Sequence, residues 1–181
     1  MGDVANVRVA ANGLASVAPI GTTLPATPAA TLDPAFNDLG LVSEEGMEEA
    51  LSTDANAIKD WSGATVRKVS SSFDPTFKLT FLERNRETIR LYYGGAEIEA
   101  VSGGSVVKVK PFTSDLRAMV IDTLDGDTVT RYVLPKCEVS DRGARQHRNN
   151  AAAGYEVTVT AYPDDDGFTH YIYNDEDFSA S

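Results

Sequence analysis

The chain holds one cysteine, Cys137, and two histidines, His147 and His170. A lone cysteine excludes an intrachain disulfide framework and any multi-cysteine metal site, and Cys137 reads as a small buried hydrophobe on a strand. His147 sits in the basic stretch Arg142-Gly143-Ala144-Arg145-Gln146-His147-Arg148, and His170 falls in a strand-like pattern. Neither has a nucleophile motif around it, and without a Gly-x-Ser-x-Gly elbow a Ser-His-Asp arrangement has no seat. Ser102-Gly103-Gly104-Ser105 lacks the lysine and spacing of a phosphate-cradling loop and reads as a turn. Asp164-Asp165-Asp166-Gly167 departs from the ligand spacing of a calcium loop and reads as a hairpin tip. No catalytic residue, cofactor or metal site is therefore expected.

Long apolar runs are also missing. Nothing approaches the roughly 18 residues that span a bilayer, and Met1-Gly2-Asp3-Val4 lacks a basic segment leading into an apolar one. Neither a membrane partner nor a secretory signal is expected. Basic residues are in deficit, 16 against 27 acidic, for a net charge of -11. That balance opposes binding nucleic acid by phosphate neutralisation, yet suits a surface that passes nucleic acid without gripping it. Glu44, Glu45, Glu48, Glu49 and the tail Asp175-Glu176-Asp177 are either solvated charge or part of such a wall.

What is present is one domain's worth of chain, 181 residues with 42% hydrophobic content. Residues 1–37 are rich in Ala, Thr, Pro and Gly, nearly uncharged, and punctuated by Pro19, Pro25, Pro28 and Pro34. They predict an extended arm, polyproline-like around Leu24-Pro25-Ala26-Thr27-Pro28, with a strand-forming piece near Leu14, Val17 and Ile20. Residues 38–174 form the domain and 175–181 an acidic C-terminal tail. Two short strand pieces are expected around a Glu44-Glu45-Gly46 turn. Residues 52–63 read as a long polar loop with a helical turn, ending at Trp61-Ser62-Gly63. Residues 64–70 and 76–82 alternate as strands, the second with Phe77, Leu79 and Phe81 on one face, and Asp74-Pro75 suits a turn between them.

The period then changes. Asn85 is a plausible N-cap, Ile89, Tyr92 and Tyr93 share one face, and Gly94-Gly95 stops the segment, which predicts one helix over 84–93. Strand patterns follow at 106–110, 117–122, 128–137, 155–162 and 168–173, with a hairpin at Asp125-Gly126-Asp127 and another tip at Asp164-Asp165-Asp166-Gly167. Many short strands and one helix predict a mainly β, antiparallel sandwich or barrel. Trp61, the sole tryptophan, fits either a core residue or an interface anchor on its surroundings alone.

The ordered set Asp38-Leu39-Gly40-Leu41-Val42-Ser43-Glu44-Glu45-Gly46, Asp54 through Trp61, Val66-Arg67, Phe77 through Glu83, Leu91-Tyr92-Tyr93-Gly94 and Gly154-Tyr155-Glu156-Val157-Thr158-Val159-Thr160-Ala161-Tyr162-Pro163 resembles the major tail tube proteins of long-tailed bacteriophages, the actinobacteriophage type in particular. The resemblance implies a catalytically inert virion protein, synthesised in the host cytoplasm, whose homohexameric rings stack into a non-contractile tube for genome ejection. It implies an outer helix packed through Ile89, Tyr92 and Tyr93. It also implies an inter-ring surface containing Ile58 and Trp61, joined by Leu14, Val17, Ile20 and Leu24 of the arm. The partners it implies are other copies of the chain, a tape measure protein, a tail terminator and baseplate or distal tail proteins, with genomic DNA passing through the lumen unbound by sequence. The alternatives are an inner tube protein of a contractile injection system and a β-sandwich receptor- or carbohydrate-binding module using Tyr162, Tyr171 and Tyr173. The basic loop has no place in the family pattern, and it is expected outside the lumen or paired with acids of a neighbouring subunit.

Overall fold

The computed structural model describes residues 9–149 and 152–175. Among the described residues ten strands and one helix run in the order β1 (Asn12–Pro19), β2 (Asn37–Asp38), β3 (Val42–Lys59), β4 (Thr65–Phe81), α1 (Arg86–Tyr92), β5 (Glu97–Val101), β6 (Gly104–Lys108), β7 (Arg117–Asp125), β8 (Thr128–Arg142), β9 (Tyr155–Ala161) and β10 (Tyr171–Asn174). All strand pairs are antiparallel. The main sheet has the order β2-β1-β7-β8-β9-β4-β3, with β10 on β8, while β5 and β6 form a separate hairpin. The ends of the main sheet approach each other where β1 lies by β3. No ladder joins them, so the sheet curls over its core without closing into a barrel.

Period-two alternation fixes which face goes inward. Tyr155, Val157, Val159 and Ala161 of β9 are buried beside Phe77, Leu79 and Phe81 of β4, Met119 and Ile121 of β7, and Leu134 and Cys137 of β8. Burial pushes the Cys137 thiol up to about 12, so it is an inert core group. Gly126, at φ 61, is the first of two turn residues between Asp125 and Thr128, where a II′ hairpin requires positive φ.

Helix α1 closes one side of this core. Asn85 caps it, its side chain accepting from the Thr88 amide at 2.8 Å. Ile89 and Leu91 are buried, and Thr88 donates to the Leu39 carbonyl at 2.6 Å. Tyr92 packs edge-on against Tyr155 and Tyr93, and its hydroxyl donates to Gly143 O at 2.6 Å. Gly94 follows the helix at φ 61, and a Cβ there would lie 2.6 Å from the Phe112 ring.

The outward face of β1, β7 and the first half of β8 is covered as well. Ala18, Val120 and Val133 are buried although they point away from the core cluster. Arg131, only 7% exposed, makes a two-pronged pair with Asp122 (2.7 and 2.8 Å) and donates to Ala30 O at 2.6 Å and Thr27 O at 3.3 Å. Segment 20–36 is thereby strapped to its own subunit.

Several expectations change. Residues 52–59 are not a loop: they continue β3, since pairing with β4 satisfies a backbone whose side chains carry no strand signal. Glu44-Glu45-Gly46 is no turn between two strands but an irregularity inside one, with the register shifting between Val42 and Met47. Asp74 and Pro75 lie within β4 instead of turning it. The expected strand at 168–173 begins at Tyr171 and pairs with β8, because β9 is already flanked by β8 and β4. The helix is shorter than 84–93. Residues 1–8 of the arm and 176–181 of the tail lie outside the described residues, whereas β1 and the strap are integral to the domain.

Two outcomes follow for equilibrium denaturation. Phe77→Ala is expected to cost about 3–5 kcal/mol through its cavity. Arg131→Met leaves Asp122 and two strap carbonyls without a partner, and is expected to cost about 3–5 kcal/mol, with the Arg131→Met/Asp122→Leu pair losing less.

Candidate assembly surfaces

Strand β4 pairs with β9 only from Thr76 to Phe81, whereas its pairing with β3 continues to Thr65. From Pro75 outward the two strands form a ribbon with no third strand among the described residues. At about 3.3 Å per residue it reaches roughly 35 Å from the body. Pro75 stands where β4 leaves β9, and a residue without an N–H fits a position bordering an unpaired edge. A two-stranded ribbon alone is marginal in water. This one nevertheless exposes Leu51, Ile58, Trp61, Val66, Val69 and Phe73.

The root of the ribbon is braced. His170 Nε2 lies 3.3 Å from a Glu49 carboxylate oxygen, and the His170 ring meets Phe77 edge-on at 5.2 Å. The tip is organised by Asp60, whose Oδ1 accepts from the Ser62 amide (2.9 Å), the Ser62 hydroxyl (2.6 Å) and the Ala64 amide (2.9 Å). These bonds, the Ser62 hydroxyl foremost, hold the Asp60 carboxyl below its ordinary value. The tip they build leaves Trp61 entirely in solvent. Ile58 and Trp61 thus share the distal end of the ribbon.

The arm residues separate. Leu14 and Ile20 are exposed and Leu24 is half-buried, but Val17 is 4% exposed inside the chain's own core. β1 is a sheet strand whose inward positions are taken, so Val17 is withdrawn from any contact surface. On the helix, Ile89, Leu91 and Thr88 are buried and Tyr92 and Tyr93 are half-buried against the core; Thr88 and Leu91 were not among the residues expected from the helical face.

The basic loop turns inward. Arg142 stacks over Phe112 at 4.0 Å and donates to Tyr92 O at 2.6 Å, and Arg145 stacks over Tyr155 at 3.9 Å. These two cations are therefore held by rings and carbonyls of their own chain, while Arg148 and His147 stay exposed. The three tyrosines do not form one platform. Tyr171 and Tyr173 stack at 6.3 Å, but the Tyr162 hydroxyl donates to Glu138, and no ring contact links Tyr162 to the other two among the described residues. Among the described residues no cluster suited to a metal ion occurs, and no helix is long and apolar enough to cross a membrane.

Among the described residues the chain is thus an antiparallel sheet with one packed helix and a projecting two-stranded ribbon. The family model for phage tail tube protein matches residues 1–181, and the chain belongs to that family. It is thus a structural component of a phage tail, found in the virion. No curated protein matches the chain.

Asp60→Ala is expected to speed amide exchange at Ser62 and Ala64 while leaving the global unfolding midpoint unchanged. The Asp60 carboxyl is depressed in the folded state, so its ordering of the tip persists above the ordinary carboxylate range. It is lost as pH falls through the lowered value, and the same exchange rates measured across acid pH check the sign.

Proposed function

We propose that the chain is a catalytically inert tube subunit whose copies join side by side into rings, six to a ring, and whose rings stack head to tail into a non-contractile conduit for the outgoing genome. The projecting ribbon carries this reading. Six large exposed hydrophobics on a marginal two-stranded element stay soluble and ordered only if a partner covers them, and a second copy of the chain is always at hand. Ile58 and Trp61 at its far end are the anchors toward the next ring, with Leu14, Ile20 and Leu24 contributing from the arm.

Within a ring, the terminal position of β3 in the sheet order supports edge pairing with a neighbour. A heterologous contact of this kind closes by rotation around the ring and stays open along the axis. The tape measure protein, tail terminator and baseplate or distal tail proteins would meet the open ends, and DNA would pass without sequence-specific contact.

Trp61 is the only tryptophan, so its emission is a direct reporter. Raising protein concentration is expected to produce rings or tubes in negative-stain images together with a blue shift of that emission. Trp61→Ala is expected to weaken stacking at least about tenfold in critical concentration, a loss typical of an interface anchor, with the monomer's circular dichroism unchanged. Wild-type assembly by Trp61→Ala would refute the assigned anchor.

A further inference from the structure

Helix α1, the β5–β6 hairpin and the stretch after β8 meet at a cleft of about 320 Å³, a size that suits a small organic ligand. Its lining holds Arg84, Arg145 and His147, and no acid. In a chain of net charge -11 that is the reverse of the average surface.

The acids of the surrounding elements are engaged elsewhere. Glu83 accepts from the Leu41 amide at 3.1 Å, Glu87 lies 3.6 Å from Arg90, and Glu156 lies 3.4 Å from Lys78. On the hairpin, Glu97 and Glu99 are taken by Lys110 and Lys108, at 3.1 and 2.7 Å. Arg84, Arg145 and His147 have no ion-pair partner among the described residues.

Donors are also short of acceptors here. Arg145 stacks on Tyr155 at 3.9 Å, and its Nη1 and Nη2 reach Tyr93 Oη and Ala153 O only at 3.4 and 3.5 Å, beyond the usual range. Its Nε is buried with no hydrogen-bond partner among the described residues. A buried donor left in that state costs stability until an acceptor arrives. Tyr93 Oη is the acceptor in its contact with Arg145, so its own hydrogen is left to donate. Ile89, Val107 and the exposed Val109 complete the lining with apolar surface, which an inorganic anion alone would leave uncovered.

We propose that this cleft binds a small organic oxyanion, a carboxylate or phosphate ester on a short apolar body. Arg84, Arg145 and the Tyr93 hydroxyl hold the oxyanion through charge-assisted hydrogen bonds, and the body lies on Ile89, Val107 and Val109. The hairpin shares no ladder with the main sheet, so the anion acts as a clip between hairpin, helix and the stretch after β8. The site belongs to the single subunit and does not depend on how copies join.

Calorimetric titration of the whole chain, below the concentration at which it assembles and at constant ionic strength, tests the site. Phenyl phosphate and benzoate are the probes, with phenol and inorganic phosphate as the two halves of the first. One phenyl phosphate per chain is expected, with Kd at or below about 1 mM and tighter than either half. Benzoate should compete with it, and amide exchange at Arg145 and His147 should slow on binding. Arg84→Gln, at an exposed position away from the core, should weaken binding at least about tenfold. Val109→Glu, which supplies a carboxylate from within the cleft, should abolish it. Absence of a saturable heat overturns the site, as does equal affinity for phenol or inorganic phosphate, or unchanged binding by either variant.

Discussion

Everything distinctive in this molecule follows from β4 being paired on both sides for only part of its length. Where β9 flanks it, its alternate side chains are committed: Phe77, Leu79 and Phe81 make the core and Thr76, Lys78 and Thr80 make a polar face. Where β9 stops, the same strand continues with β3 as its sole support. Hydrophobics there have no interior to enter, so Phe73, Val69 and Val66 remain in solvent with their counterparts on β3. One strand is thus both the spine of a stable body and half of a projecting two-stranded ribbon, an element marginal by itself.

The charged residues serve a complementary purpose. Arg131 ties the strap to β7 through Asp122, Arg142 caps the helix and stacks on Phe112, and Arg145 stacks on Tyr155. Planar guanidinium groups suit these positions because they can donate in a fixed fork, as Arg131 does from a buried site, and stack on rings, as half-buried Arg142 and Arg145 do. Spent this way, three of the scarce cations fasten loops to the body, and the exposed surface keeps its acidic excess.

Much of the body was legible in the sequence because local and global demands agree there. Clean alternation in β9 and in 76–82, an Asn85 cap, a glycine after the helix and a Gly126 turn each signal one structure, and that structure forms. The ribbon was not legible. Residues 52–59 are small and polar with no alternation to read, because neither side of the ribbon faces a core. Asp74-Pro75 carries the chemistry of a turn, which tertiary pairing overrides. Val17 looked like a contact residue for the opposite reason: an apolar position in a proline-rich arm gives no hint that β7, about a hundred residues later, completes its strand pair. Ile58 and Trp61 were singled out through the family resemblance, and the structure places both exposed toward the far end of the ribbon.

The pairing of β1 with β7 also sets a timetable for synthesis. Asn12–Pro19 precedes its partner Arg117–Asp125, which emerges only after the ribbon, helix and second hairpin have been translated. During that interval β3 and β4 are already out, while β9, which anchors their base, is still unmade. Such long-range closure is slow and leaves strand edges open to neighbours until it is complete.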